Sequence, residues 1–284
     1  MDRPSTRSPR ARAGAEPDGH AVLRARCARA CYPIVVARYD AIGRGYASRR
    51  REDPRFRDRI HAALGGACTV VNVGAGAGSY EARGSIRRGH RAERRDGGAA
   101  ATVPPAGDPR DGREPPLRDA SVDAAMTVLS LHHWDDERGR GVRELRRVAR
   151  GPVVIVTYDA RVSASMWLLR EYLPEVAALD LEIFPPPEVL REWLGGTVEI
   201  EPLPIPRDTP DWMLGSFWAH PERVLDPDAR AATSGFARMP PAVVDRVVHE
   251  LSRDLADGSW DRRHGALRAL AAYDVGLRLL VARR

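Results

Sequence analysis

The sequence predicts an α/β chain built on a doubly wound, mostly parallel sheet with an antiparallel last strand and a helical cap. Three observations point there. A short β-branched run, Thr69-Val70-Val71-Asn72-Val73, ends abruptly in the turn Gly74-Ala75-Gly76-Ala77-Gly78. Two further short runs, residues 122–129 and 153–157, have the continuous apolar character of strands buried on both faces of a parallel sheet. Between them, residues 136–150 put Val142, Leu145, Val148 and Ala149 on one side of a helix. Strand, helix, strand in that order implies a right-handed crossover.

The elements follow in order. Residues 1–30 are rich in Arg, Ala and Pro without periodicity and read as a disordered basic tail. Helices are expected at 34–50 and 54–64; in the second, Phe56, Ile60 and Leu64 recur every four residues behind an Asp53 N-cap and Pro54. After the glycine turn the pattern fails. Residues 82–115 hold six Gly, four Pro and eight Arg, with only Ile86 and Val103 as large aliphatics. The second-strand region is therefore expected to be irregular, leaving the edge of the first strand uncovered or weakly paired. Its abrupt borders read as a local change of reading frame or as a natural insertion. Past residue 160, helices are expected at 163–173, 187–194, 241–255 and 262–271, and strands at 197–203 and 275–281. The aromatic stretch from Trp212 to Trp218 either caps a site for an apolar or aromatic small molecule or anchors the cap to the core. The division is thus a tail at 1–30, a core at 31–160, and a cap insertion with closing strands of the same domain at 161–284.

Composition narrows the function. The 284 residues carry a net charge of +6, which invites a nucleic-acid reading. Location opposes it: residues 1–30 have seven Arg against three acids, and 82–115 have eight against five, so these two segments exceed the whole net charge. Both are poor in large apolar residues and read as solvated charge. No apolar run approaches the roughly 18 residues of a membrane span, and no secretory signal is visible. Three cysteines, Cys27, Cys31 and Cys68, make neither a disulfide framework nor a zinc site. A cytoplasmic protein with no metal, no nucleic acid and no membrane partner is expected; the oligomeric state stays open.

The glycine turn carries the chemistry. Glycines at the carboxyl edge of a parallel sheet let a ligand approach the backbone. The dinucleotide fingerprint would need glycine at position 79, which is Ser79. Residues 70–81, with glycine at 74, 76 and 78, resemble motif I of the class I S-adenosylmethionine-dependent methyltransferases of small molecules. Residues 117–126 resemble that family's fourth-strand segment. Leu129-Ser130-Leu131-His132-His133-Trp134 resembles the stretch after it, where paired histidines are common. Residues 144–148 and Tyr39 to Tyr46 resemble two of its helices.

The resemblance implies a Rossmann-like fold and S-adenosylmethionine as methyl donor. It places Gly74, Ala75, Gly76 and Gly78 against the donor's methionine part and Leu129 near its sulfonium, with Tyr46 and Arg49 covering or pairing with it. Asn72 stands where the family often has an acid; an amide still accepts from the donor's ammonium but brings no charge. His132 and His133 are candidates for a general base, the alternative being rings that pack at the strand end. The expected function is methyl transfer to a small-molecule acceptor, with activity impaired if the second strand is missing. A degenerate or binding-only protein, and less so a nucleotide-binding oxidoreductase, are the alternatives.

Overall fold

Helix α1 spans Pro54–Leu64 in a computed structural model that describes residues 50–74, 80, 86–90, 117–134 and 137–284. The tail at 1–30 and all but the last residue of the helix expected at 34–50 lie outside these. Asp53 caps α1: its backbone is extended (φ −83°, ψ 120°) and its carboxylate accepts from the Arg55 amide at 2.9 Å. Pro54 sits at the first turn, where a missing N–H loses no bond. Phe56, Ile60 and Leu64 form the buried stripe.

The strands are β1 (Thr69–Val73), β2 (Ile86–His90), β3 (Ala124–Val128), β4 (Val153–Tyr158), β5 (Thr197–Pro202), β6 (Ile205–Pro206), β7 (Ala272–Tyr273) and β8 (Leu277–Arg283). The main sheet has six strands in the order β2-β1-β3-β4-β8-β5. The first four run parallel, and β8 lies antiparallel between β4 and β5. The mostly parallel sheet with an antiparallel last strand is as expected.

The irregular second-strand region is not. Ile86–His90 pairs in parallel with β1, Thr69 opposite Ile86 and Val73 opposite His90. Apolar content was the wrong criterion for an outer strand. The edge of β1 presents a row of N–H and C=O groups that any backbone can pair, whatever side chains it carries. The edge of β1 is therefore covered. Residues 91–115 lie outside the described residues.

Helices cover both faces. Helix α2 (Arg138–Val148) is followed by α3 (Ala160–Ser163), α4 (Pro174–Ile183) and α5 (Pro187–Leu194). On one face Val71, Ala125, Ile155 and Leu280 join Val142 and Leu145 of α2 and Leu190 and Leu194 of α5 in one core. On the other, Val70, Met126, Val154 and Val156 join α1 and the C-terminal helices. Those are α6 (Pro227–Ala231), α7 (Ser234–Ala237), α8 (Pro241–Ala256) and α9 (Ser259–His264). The helix expected at 163–173 is instead α3 and a π-helical turn, Leu168–Tyr172. The one expected at 262–271 is α9 and a 3-10 turn, Gly265–Ala269.

The aromatic stretch anchors the cap. Phe217 and Trp218 have no exposed surface. The Trp218 indole donates to the Ile205 carbonyl at 3.0 Å, and Trp167 donates to the Trp218 carbonyl at 2.8 Å. Trp167 in turn meets Trp260 edge-on, 5.3 Å between centroids. The Trp218 and Trp167 N–H groups are thus buried with a carbonyl to reach, while the Trp260 N–H has no partner among the described residues. No described helix is long and apolar enough to cross a membrane.

Candidate functional site

Strands β1, β3 and β4 end at one edge of the sheet, and the chain departs from regular geometry there. β1 runs into Gly74 at φ 75°, and a Cβ at that position would lie 2.3 Å from the Ser130 hydroxyl oxygen. Both the dihedral and the space require glycine. The Ser130 and Thr127 hydroxyls are 2.6 Å apart and lie 3.1 and 2.9 Å from the Val73 carbonyl. This clamp ties the end of β1 to the end of β3. Leu129, just past β3, holds φ 50° and donates its N–H to the Val156 carbonyl at 2.8 Å. A bulky L-residue in the left-handed region is strained, and such strain gathers at binding sites.

Asn72 is 4 % exposed, on β1 opposite Met126 of β3. Neither its amide nitrogen nor its amide oxygen has a partner among the described residues. A buried amide left so costs about 1–3 kcal/mol, which a ligand with a matching donor or acceptor would recover.

His132 and His133 form a 3-10 turn with Leu131 directly after Ser130. Their rings are 3.9 Å apart, and His132 also meets Phe184 at 4.7 Å. Each keeps some accessible edge, yet protein surrounds both rings closely enough for desolvation to dominate. Burial holds His132 well below the usual histidine value and brings His133 down to about 4, with the Arg238 guanidinium adding to both. Arg238 lies 3.4 Å from His133 Nδ1. Neutral rings this weakly basic are ill matched to proton abstraction near pH 7.

Three groups that sequence reasoning passed over complete the edge. Tyr158, the last residue of β4, donates its hydroxyl to the Met213 sulfur at 3.1 Å and meets Phe184 edge-on at 5.8 Å. Burial pushes its phenol well above the usual value. Asp211, 3 % exposed, pairs with Arg50 at 2.5 Å; burial still raises its carboxyl. Asp180, on α4, is pushed up to about 7 by burial against the pull of Arg238. The missed signal was α4 itself: Pro174 at a first turn followed by Val176, Leu179 and Ile183 at helical spacing.

Of the sequence-predicted site residues, Asn72, Gly74, Leu129, His132 and His133 lie at or just beyond the carboxyl ends of β1 and β3. Tyr46, Arg49, Ala75, Gly76 and Gly78 lie outside the described residues. Among the described residues no group of three or more His, Cys, Asp or Glu could hold a metal ion.

No protein-family model matches this sequence, and no curated protein matches it. Solved structures do. A protein from Anabaena variabilis ATCC 29413, designated a methyltransferase from an antibiotic biosynthesis pathway, is 26 % identical, with a TM-score of 0.71 over 84 % of this chain and 100 % of that one. A Haemonchus contortus phosphoethanolamine N-methyltransferase, solved with S-adenosylhomocysteine, is 13 % identical (TM-score 0.41, 81 % and 52 % covered). The [4+2]-cyclase SpnF is 17 % identical (TM-score 0.39, 81 % and 80 % covered). The last two are too distant to carry an argument. The Anabaena structure is not: over 84 % of its length the chain has the fold of a class I S-adenosylmethionine-dependent methyltransferase.

Proposed function

We propose that this chain moves the methyl group of S-adenosylmethionine to a small-molecule acceptor. The carrying observation is the carboxyl edge of β1: a glycine that nothing else can replace, beside a buried amide whose two polar atoms have no described partner. The orphaned amide fits such a donor, since Asn72 Oδ1 can accept from an ammonium and its NH2 can donate to a carboxylate. Bound there, S-adenosylmethionine supplies a methyl carbon already activated by its sulfonium, so the protein must hold, align and exclude water. Asn72, Gly74 and Leu129 do the holding, with Tyr46, Arg49, Ala75, Gly76 and Gly78 completing the site by family likeness. His132 and His133 act as neutral rings that orient the acceptor.

The paired β2 supports an active enzyme over an impaired or binding-only protein, because a second strand stands beside β1. Small-molecule rather than nucleic-acid chemistry is supported by the way described arginines are engaged: Arg147 with Glu144, Arg161 with Asp159 and Glu188, Arg246 with Glu175, and Arg263 with Asp254. We place the protein in the cytoplasm on its cysteine usage.

Thermal shift tests the reading. S-adenosylhomocysteine at 100-fold over its Kd should add about 2.7 kcal/mol of stability, and NAD should add none. Stabilisation by NAD alone, or by neither, sinks it.

A further inference from the structure

We propose that Asp180 takes the proton from the acceptor, and that the acceptor is an apolar or aromatic small molecule whose nucleophile is an O–H or N–H group; this rests on the methyl-transfer reading above. Asp180 stands in the last turns of α4, and its carbonyl accepts from the Phe184 amide at 2.9 Å, so the two residues lie one helical turn apart. The Phe184 ring bridges the ends of two strands, touching His132 beyond β3 and Tyr158 at the end of β4. A chain of contacts thus leads from Gly74 through Ser130 and His132 to the turn that carries Asp180.

The use of this carboxylate differs from that of its neighbours. Asp53 and Asp159 cap helices, Asp211 pairs with Arg50, and Asp254 accepts from Tyr172 and Arg263. The Asp180 carboxylate accepts no hydrogen bond from any described residue. A carboxylate without a described donor, one helical turn from a ring that touches both strand ends, suits a flat O–H or N–H compound.

The surrounding charges favour proton transfer near neutrality. Arg238, after α7, is the cation acting on Asp180, and Tyr158 faces it from β4. His132 and His133 are neutral. On α3, Arg161 is engaged by Asp159 and Glu188; on the π-helical turn, Arg170 is engaged by Glu171. Burial therefore prevails and leaves the carboxyl at about 7, a better match to the task than either histidine. The acceptor's proton passes to the Asp180 carboxylate; the acceptor's freed lone pair bonds the methyl carbon, whose old bonding pair stays on sulfur as a neutral thioether. The resulting carboxylic acid returns its proton to solvent.

The test is a 13C NMR titration of protein labelled at the aspartate carboxyls, with S-adenosylhomocysteine bound, assigned by Asp180→Asn. The Asp180 resonance should titrate near neutrality instead of near the ordinary ~4. Phenol should move it and anisole, which lacks the O–H, should not. Asp180→Asn should bind S-adenosylhomocysteine within about 3-fold of wild type, a difference under 1 kcal/mol. Where the Asn variant fails to fold, Asp180→Glu should keep a raised midpoint and the response to phenol. A midpoint below about 5, or equal responses to phenol and anisole, overturns this proposal alone. Failure of the wild type to bind S-adenosylhomocysteine overturns the methyl-transfer reading and this one with it.

Discussion

At the amino ends of β1 and β3 the Asp123 carboxylate accepts from the Cys68 and Thr69 amides (3.0 and 2.8 Å), the Thr69 hydroxyl (2.9 Å) and the Arg150 guanidinium (2.8 Å). At their carboxyl ends Gly74 and Leu129 hold positive φ, and the Asn72 amide and His132 Nδ1 have no described partner. Two ends of the same strands are finished differently. The amino end uses its polar groups to fix register, so it has little left for a ligand. Among the described residues the carboxyl end keeps strain and unmatched polar atoms, which a bound molecule can relieve.

The largest break in that contrast comes from Gly74→Val. A Cβ would meet the Ser130 hydroxyl at 2.3 Å, and a β-branched residue would have to hold φ 75°. Dihedral strain and overpacking each cost roughly 1–3 kcal/mol. Urea denaturation should show a loss of about 3 kcal/mol or more, with S-adenosylhomocysteine binding abolished. Wild-type stability with wild-type affinity would remove both the contact and the site.

The second test uses pH. His133 is brought from 6.5 down to about 4 in the folded chain, so its neutral form is what folding prefers. Its contribution is whole above pH 6.5 and is lost as pH falls through 4. Between pH 7 and 4.5 the wild type should lose roughly 1–3 kcal/mol more than His133→Gln. Parallel stability curves for the two would show that the ring is not desolvated.

At the opposite end, Asp123→Asn should lower the unfolding midpoint by less than Gly74→Val does and leave S-adenosylhomocysteine affinity unchanged. The donors around Asp123 hold its carboxyl down to about 2. Its contribution should therefore persist to about pH 4 and fade as the pH falls toward 2. A change in ligand affinity would mean the two ends are coupled.

The sequence exposed this edge unevenly. Asp53 and Pro54, the apolar run 69–73 and the turn at Gly74 are local signals, and local chemistry decides them. β2 escaped because an outer strand is held by backbone pairing, which composition does not record. Thr127 and Ser130 look like ordinary strand-end residues until Val73 is set beside them. His132 and His133 were visible as a pair, but their weak basicity comes from burial and from Arg238, 105 positions from His133 along the chain. Asp180 was hidden because its helix, its aromatic neighbours and its missing donors come from separate stretches of the chain.

Asn72→Leu is the smallest expected effect and the sharpest in sign. Leucine keeps the shape of the amide and removes both unmatched polar atoms. Without ligand the variant should be more stable by about 1 kcal/mol, because a buried orphaned group is replaced by an apolar one. S-adenosylhomocysteine should bind more weakly, by roughly 5- to 10-fold for the loss of about 1 kcal/mol of hydrogen bonding. Stability and affinity thus move in opposite directions, as they do when a residue is kept for function at a cost to the fold. Asn72→Asp reverses both: the added charge should tighten binding to the donor's ammonium and destabilise the free protein, since burial penalises an unpaired carboxylate. A structural Asn72 gives a different result. If a partner in the chain satisfied the amide, Leu would lower stability and affinity together, and calorimetry beside urea denaturation separates the two cases.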